Sequence, residues 1–274
     1  MADIARSFIS ELSGLWGEGY WVTWHPSTRH SLGDIGTVSA GSLVPISTLE
    51  ENGITSLALT PETRDELSWR TKGQVDVTFK AVGNTAGGVF SALADAQAGA
   101  LVEFKGDNSV LVSYRGLTES RLASQPVLAA EMVSRYWAGT WPKEWCVVSH
   151  LVTAEHGTVL AGGEKGSTVE LAAQATVGPA PAAIADLAVR MKVARSKGLT
   201  LELLGEAMTP FFRILRLRRK FLNGIEAVYG ASPLRIGSGR PSEIPQDILE
   251  EARSDPDTVL EFASQADPIG EQSA

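Results

Sequence analysis

The sequence predicts an α+β fold, a twisted and mostly antiparallel sheet with flanking helices. Three observations predict it. In KGQVDVTFKAV, residues 72–82, apolar and polar residues alternate with the period of a strand that has one buried and one solvated face. A similar alternation, interrupted by the turn residues Gly106 to Ser109, predicts a hairpin over residues 102–114. Residues 3–16 place apolar side chains at helical spacing and predict an amphipathic helix.

Further elements are predicted in the middle of the chain. Residues 118–137 have loose helical spacing, and Pro126 interrupts or restarts that helix. Residues 145–177 predict two or three strands, with turns at His156-Gly157 and at residues 162–166.

The last third of the chain is predicted to mix strands and helices. Residues 186–195 alternate like a two-faced strand, which we expect to pair with residues 199–204. Thr209 and Pro210 have the order of a helix N-cap followed by a proline, so the segment FFRILRLRRKFL after them is predicted to be helical. A Gly-Ser-Gly connector then leads to a short acidic helix.

The composition suits one large domain or two small ones. The 274 residues are 43% hydrophobic, and no apolar run approaches the roughly 18 residues that a spanning helix needs. The N-terminal region carries Asp3 and Glu11 and lacks the order of a secretory signal, so a cytoplasmic location is expected. Cys146 is the single cysteine and the histidines lack zinc-protease spacing, so we expect no internal disulfide, no metal and no cofactor.

The net charge of −8 lies entirely in the C-terminal region. Beyond residue 240 the chain has one basic residue, Arg253. The acidic residues there are Glu243, Asp247, Glu250, Glu251, Asp255, Asp257, Glu261, Asp267 and Glu271. Acidic and basic residues balance in residues 1–240. The sequence therefore predicts a neutral body followed by an acidic tail.

Patterns typical of catalysis are weak. Cys146 and His150 have the residue types of a nucleophile and its base, but four residues along a strand separate them by roughly 13 Å. The segment GGEKGST, residues 162–168, has the residue types of a phosphate-binding loop. In such a loop the lysine follows a glycine and precedes Ser or Thr, whereas here Lys165 precedes Gly166. The seven tryptophans are scattered, which favours core packing over a stacking platform. We therefore expect no enzymatic activity.

A basic cluster occupies the segment after Pro210, namely Arg213, Arg216, Arg218, Arg219 and Lys220. The neutral body provides no basic field for nucleic acid, so no nucleic-acid partner is expected. An anionic membrane surface and the acidic tail of the same chain are both suitable partners. The same residues also fit a third interpretation equally well, in which the cluster is a solvated helix face that binds no partner.

Four stretches resemble, in the same order, the pore-forming N-terminal domain of the gasdermin family, including its short fungal and bacterial members. They are GSLVPISTL at residues 41–49, KGQVDVTFKAV at 72–82, EWCVVSHLV at 144–152 and LAVRMKVA at 187–194. The resemblance covers about residues 40–200, and the collinear order carries it more than any one motif.

This resemblance implies two regions, a gasdermin-like pore-forming domain over residues 1–236 and a linker with an acidic, autoinhibitory tail over residues 237–274. The basic cluster, identified above from the residues themselves, is the candidate for lipid contact. The implied membrane hairpins contain Val75, Val77, Phe79, Phe90, Val189, Met191 and Val193. The implied cleavage region contains Arg235, Gly237, Gly239 and Arg240.

The function implied by the resemblance is that of a membrane pore former acting in cell death or innate defence. Such a protein is a cytoplasmic, inactive monomer until a protease removes its tail. It then binds anionic lipids and forms a homo-oligomeric β-barrel in the plasma membrane or inner membrane. The alternative is a non-lytic protein-binding or scaffold domain with an acidic docking tail.

Overall fold

In the computed structural model, the chain forms two antiparallel sheets, with helices packed around the larger one. The structure describes residues 2–25, 28–61, 65–83, 89–94, 97–174, 181–189, 191–229 and 243–265. The predicted α+β class and the mostly antiparallel sheet are confirmed at this level.

The elements follow one another in this order. The strands are β1 Trp21–Val22, β2 Asp34–Ser39, β3 Ser42–Thr48, β4 Ala58–Leu59, β5 Asp65–Arg70, β6 Val75–Lys80, β7 Gly99–Phe104, β8 Ser109–Leu122, β9 Cys146–Gly162, β10 Thr168–Ala173, β11 Met191–Lys197, β12 Leu199–Leu217 and β13 Leu260–Phe262. The helices are α1 Ala2–Leu12, α2 Gln125–Trp137, α3 Arg219–Tyr229, α4 Gln246–Ser254 and α5 Pro256–Val259, together with a 3-10 helix at Ile184–Ala188.

The larger sheet is built around β9. β12 pairs with one edge of β9, and β8 and β2 pair with the other edge. β4 and β5 continue the sheet beyond β8, while β1 and β13 continue it beyond β12. β9 and the end of β12 are buried on both faces, which explains their long apolar runs.

The smaller sheet has the order β6, β7, β10, β11, and we call it the hairpin sheet. β6 and β7 form one antiparallel pair, and β10 and β11 form another beside it. The strand predicted from the alternation in residues 72–82 is confirmed as β6.

Two predicted turns are wrong. Residues 102–114 do not form a hairpin, because β7 belongs to the hairpin sheet and β8 to the larger sheet, and the turn between them carries the chain from one to the other. His156-Gly157 is not a turn, because both residues lie inside β9. Gly157 is there because the side chains of Tyr114 and Met208 occupy the space that a Cβ would need.

Two predictions in the last third are also wrong. The strand predicted over residues 186–195 begins only at Met191, after a 3-10 helix, and pairs with β10 rather than with residues 199–204. Thr209 and Pro210 do not begin a helix. They lie in β12, at a register shift between Met208 and Phe211, and α3 begins only at Arg219.

The helix predicted over residues 118–137 is confirmed from Gln125 onward, with Pro126 in its first turn and residues 118–122 in β8. α2 packs on the end of β12 together with α3 and α4, and their apolar side chains form one core. α1 packs on a second core at the centre of the larger sheet, where Phe8 and Leu12 are fully buried. The hairpin sheet covers a third core.

Candidate functional site

The hairpin sheet has one apolar face. Val75, Val77 and Phe79 of β6 lie on this face and are in register with Phe104, Val102 and Ala100 of β7. The same row continues across the other two strands through Val169, Leu171, Met191 and Val193. The face packs on Leu111 and Leu160 of the larger sheet and on Leu187 of the 3-10 helix. Five of the predicted membrane-hairpin residues therefore share one surface.

The opposite face of the hairpin sheet is polar and charged. Its charged side chains are Asp76, Lys80, Glu103, Glu170, Lys192, Arg195 and Lys197, as the alternation and the strand register require. Part of the connector between β6 and β7 lies over this face, with Leu93 buried on it. Of the two remaining predicted hairpin residues, Phe90 is half-buried in that connector and Val189 precedes β11.

Both sheets share one strand order. Each strand of the hairpin sheet is joined along the chain to one strand of the larger sheet. The joined pairs are β6 with β5, β7 with β8, β10 with β9, and β11 with β12. The strands β5, β8, β9 and β12 are neighbours in the same order as β6, β7, β10 and β11. Four lines of strand therefore run through both sheets, and each line bends at a short connection between the two. The pairing between the two middle lines keeps its register through the bend, since Glu103 lies opposite Thr168 and Ser109 lies opposite Gly162, with equal numbers of residues between them on each side.

The C-terminal segment, residues 243–265, is part of the folded body. Ile248 and Ala252 of α4 and Val259 of α5 are buried in the core beneath α2. Its last strand, β13, pairs with β12. Beyond β13, the indole Nε1 of Trp21 donates a 2.6 Å hydrogen bond to the carbonyl oxygen of Ala263. The acidic helix predicted in this region is confirmed as α4.

Three arginines of the basic cluster contact three consecutive residues of β13. Arg218 Nη2 donates to the carbonyl oxygen of Leu260 at 3.4 Å, and Arg216 Nε donates to Glu261 Oε1 at 2.8 Å. The guanidinium carbon of Arg213 lies 3.7 Å from the centroid of the Phe262 ring. The strand therefore neutralises or covers each of these cations.

The other two members of the basic cluster lie apart from β13. Arg219 and Lys220 are exposed at the start of α3. The sequence placed all five cations on one helix, whereas the structure divides them between a central strand and the helix after it. The cleavage residues Arg235, Gly237, Gly239 and Arg240 lie outside the described residues.

A polar cluster that the sequence did not predict surrounds Arg213. The register of β8, β9 and β12 places Arg121, His150 and Arg213 side by side. Burial, followed by the charge of Arg213, lowers the pKa of His150 below its usual 6.5. The ring of Tyr20 lies 5.2 Å from Arg213 Cζ, and its hydroxyl donates a 2.6 Å hydrogen bond to Glu119. Sequence spacing gives no signal for this cluster, because only strand pairing brings its members together.

The thiol of Cys146 is buried, and burial raises its pKa to about 11. A nucleophile needs an accessible thiolate, so this site does not favour the pairing of Cys146 with His150 as a catalytic unit. In the described ranges, no group of three or more His, Cys, Asp and Glu side chains is arranged to hold a metal ion. Across the same residues, no helix combines the length and the apolarity needed to cross a membrane.

Comparison with known proteins adds no assignment. No protein-family model matches the sequence, and no curated protein is significantly similar to it.

Proposed function

We propose that the protein is a gasdermin-like pore former, which its C-terminal segment holds in an inactive state and a protease releases for action in cell death or defence. The observation that carries the proposal is the hairpin sheet, which has a predominantly apolar face and continues line by line into the larger sheet. A membrane barrel needs strands of this kind, with one face to lipid and the other to water.

Strand length supports the proposal. A tilted spanning strand needs roughly 9 to 11 residues, and β6 or β11 alone is shorter than that. Straightening the bend would join each strand of the hairpin sheet to the strand that continues it and give continuous hairpins. The register between the two middle lines is the same on both sides of the bend, so these two lines would not need to slip along each other.

The contacts of β13 support autoinhibition. Arg213, Arg216 and Arg218 lie beneath residues 260–262, so removal of the segment would free three cations at the end of β12. Each cation near an anionic surface contributes about 1 kcal/mol to membrane binding. A protease that cuts between about Arg235 and Pro245 would separate the segment from the body covalently. The partners under this proposal are anionic lipids, that protease and further copies of the chain.

The test keeps every residue of the folded body present. A recognition sequence for a site-specific protease replaces residues 235–240, and dye release from anionic vesicles is measured before and after cutting. We expect release only after cutting, and weaker release from zwitterionic vesicles. A cut protein that is well folded by circular dichroism and releases no dye from either vesicle would contradict the proposal and favour the non-lytic scaffold.

A reversible staple provides the matched control. Arg216 and Glu261 are directly paired across β12 and β13, so Arg216→Cys with Glu261→Cys should form a disulfide that holds the segment in place. Cys146 lies opposite Arg216 on β9 and is replaced by alanine to prevent exchange. The cut, oxidised protein should release no dye, and addition of a reductant should restore release.

A further inference from the structure

The connector between β6 and β7 is fastened to the polar face of the hairpin sheet by the carboxylate of Glu170. The backbone amide of Ser91 donates to both carboxylate oxygens at 3.0 Å, and the amide of Ala92 donates to Oε2 at 2.7 Å. The Ser91 hydroxyl donates to Oε1 at 2.5 Å. Glu170 is only 5% exposed, so these bonds replace most of its contact with water.

A second charged residue holds the same connector a few residues further on. The ammonium group of Lys80 donates to the carbonyl oxygen of Ala94 at 2.6 Å and to that of Leu93 at 3.4 Å. Lys80 is 2% exposed. A buried ammonium group depends on such acceptors, because without them its loss of hydration would be uncompensated.

Packing between the two attachment points is close. The side chain of Leu93 lies directly over Gly99 of β7, where a Cβ would meet Leu93 Cδ1 at 2.5 Å. Arg195 of β11, which is in register with Glu170, donates to the hydroxyl of Ser91 at 2.7 Å. The connector is therefore tied to β6, β10 and β11 at once.

We infer that Lys80 and Glu170 form a two-ended clip that holds the β6–β7 connector on the hairpin sheet, and that this clip opens before the hairpin is released. The first part stands on the contacts alone. The second part rests on the proposed function, since it assigns the clip to the step in which β6 and β7 extend. Residues 91–94 of the connector lie on the polar face, so they would block any straight continuation of that hairpin.

The clip has a defined dependence on pH. The charged groups on the same face around Glu170 are Arg195, Lys192 and Lys197 of β11, Glu103 of β7, and Lys80 and Asp76 of β6. Burial by itself raises the pKa of Glu170, but the hydrogen bonds from Ser91 and Ala92 and the charge of Arg195 lower it below its usual 4.5. A lowered pKa in the native state means that the stabilisation is complete above pH 4.5 and is lost as the pH falls through the native pKa.

Hydrogen exchange in the full-length chain tests the clip. At pH 7, Glu170→Gln should lower the protection of the Ser91 and Ala92 amides by roughly tenfold, because a neutral amide accepts these bonds more weakly. Glu103→Gln, on the same face and outside the clip, should leave their protection unchanged. In the wild-type chain, acidification through the native pKa of Glu170 should produce the same loss after correction for intrinsic exchange, and Glu170→Gln should show no further loss.

Equal protection of these amides in the wild type and in Glu170→Gln would overturn the clip, as would an acid-induced loss of equal size in both. Lys80→Met provides an independent variant. It should lower the protection of the Gln97 amide, which donates to the carbonyl oxygen of Ala94. If that variant does not fold, the wild-type pH comparison still tests the Glu170 end of the clip.

Dye release separates the clip from the proposed function. In the protease-cut protein, Glu170→Gln should release dye several-fold faster than Glu103→Gln, because one end of the clip is already open. If Glu170→Gln changes hydrogen exchange at Ser91 and Ala92 but releases dye at the same rate as Glu103→Gln, the assigned role of the clip is overturned and the pore proposal stands. If Glu170→Gln changes hydrogen exchange but no cut protein releases dye, both the pore proposal and the assigned role of the clip are overturned. The clip itself would stand.

Discussion

The ring of Phe262 lies over the guanidinium group of Arg213, 3.7 Å from ring centroid to Cζ. These residues belong to β13 and β12, and Arg213 Cζ also lies 5.2 Å from the centroid of the Tyr20 ring. Two aromatic rings therefore contact one cation of the larger sheet. The contact links the stability of the C-terminal segment to a residue of the predicted lipid-binding cluster.

Loss of this ring should loosen the segment. We expect Phe262→Ala to lower the free energy of unfolding by about 1 to 2 kcal/mol, because the cation–π contact and its apolar cover are removed. Chemical denaturation followed by tryptophan fluorescence measures the change. Phe262→Tyr keeps the ring and should stay close to the wild type, so equal losses in both variants would contradict this account.

Gly157 should be intolerant of a side chain. A Cβ at this position would lie 2.5 Å from Met208 Sδ and 2.8 Å from Tyr114 Cδ1. We expect Gly157→Ala to destabilise the fold by about 1 to 3 kcal/mol through overpacking. Gly224→Ala is the matched control in α3, where no atom lies within 4 Å, and it should stabilise the fold by about 0.5 to 1 kcal/mol. The melting temperature should fall for Gly157→Ala and rise for Gly224→Ala, and a thermal melt of each variant measures this.

Stability should fall between pH 7.5 and 5.5. Burial lowers the pKa values of His30 and His150 below the usual 6.5, so the unfolded chain binds protons in this range before the folded chain does. His150→Gln should therefore flatten the dependence of the unfolding free energy on pH. Ring titration by NMR should give midpoints below 6.5 for both histidines, and a midpoint at or above that value would contradict the prediction.

The connector offers a test of the membrane step. Phe90 is half-buried and lies beside the exposed Val89, so Phe90→Asp should leave the full-length chain folded. A carboxylate placed against lipid opposes insertion, and the cut variant should therefore release no dye. Val127→Asp, at an exposed position of α2, is the control and should behave like the wild type. A well-folded Phe90→Asp protein that releases dye at the wild-type rate would remove this part of the connector from the mechanism.

Sequence periodicity predicted the elements whose two faces differ. β6 has one apolar and one polar face, and α4 is amphipathic, so the period of each is visible in the sequence. The end of β12 was predicted as a helix, because a strand buried on both faces loses its alternation, and Ile214, Leu217 and Phe221 also fit helical spacing.

The candidate site was only partly predictable for a related reason. The apolar row of β6 follows from local alternation, and in the structure it shares one apolar cluster with Met191 and Val193. The contacts of Arg213 with Phe262 and of Glu170 with Ser91 join residues far apart in sequence. Neither residue of such a pair carries a local signal for the other, so these contacts emerge only from the pairing of strands.

The placement of β13 has a consequence for synthesis on the ribosome. β12 ends at Leu217, whereas the strand that covers its arginines begins at Leu260. Translation at roughly 5 to 20 residues per second leaves the nascent chain without this cover for some seconds. We expect ribosome-bound chains in which Lys220 has emerged and residue 260 has not to co-sediment with anionic vesicles, and chains in which residues 243–265 have also emerged to remain in the supernatant. The nascent chain would thus be most exposed to membranes in the interval between these two points.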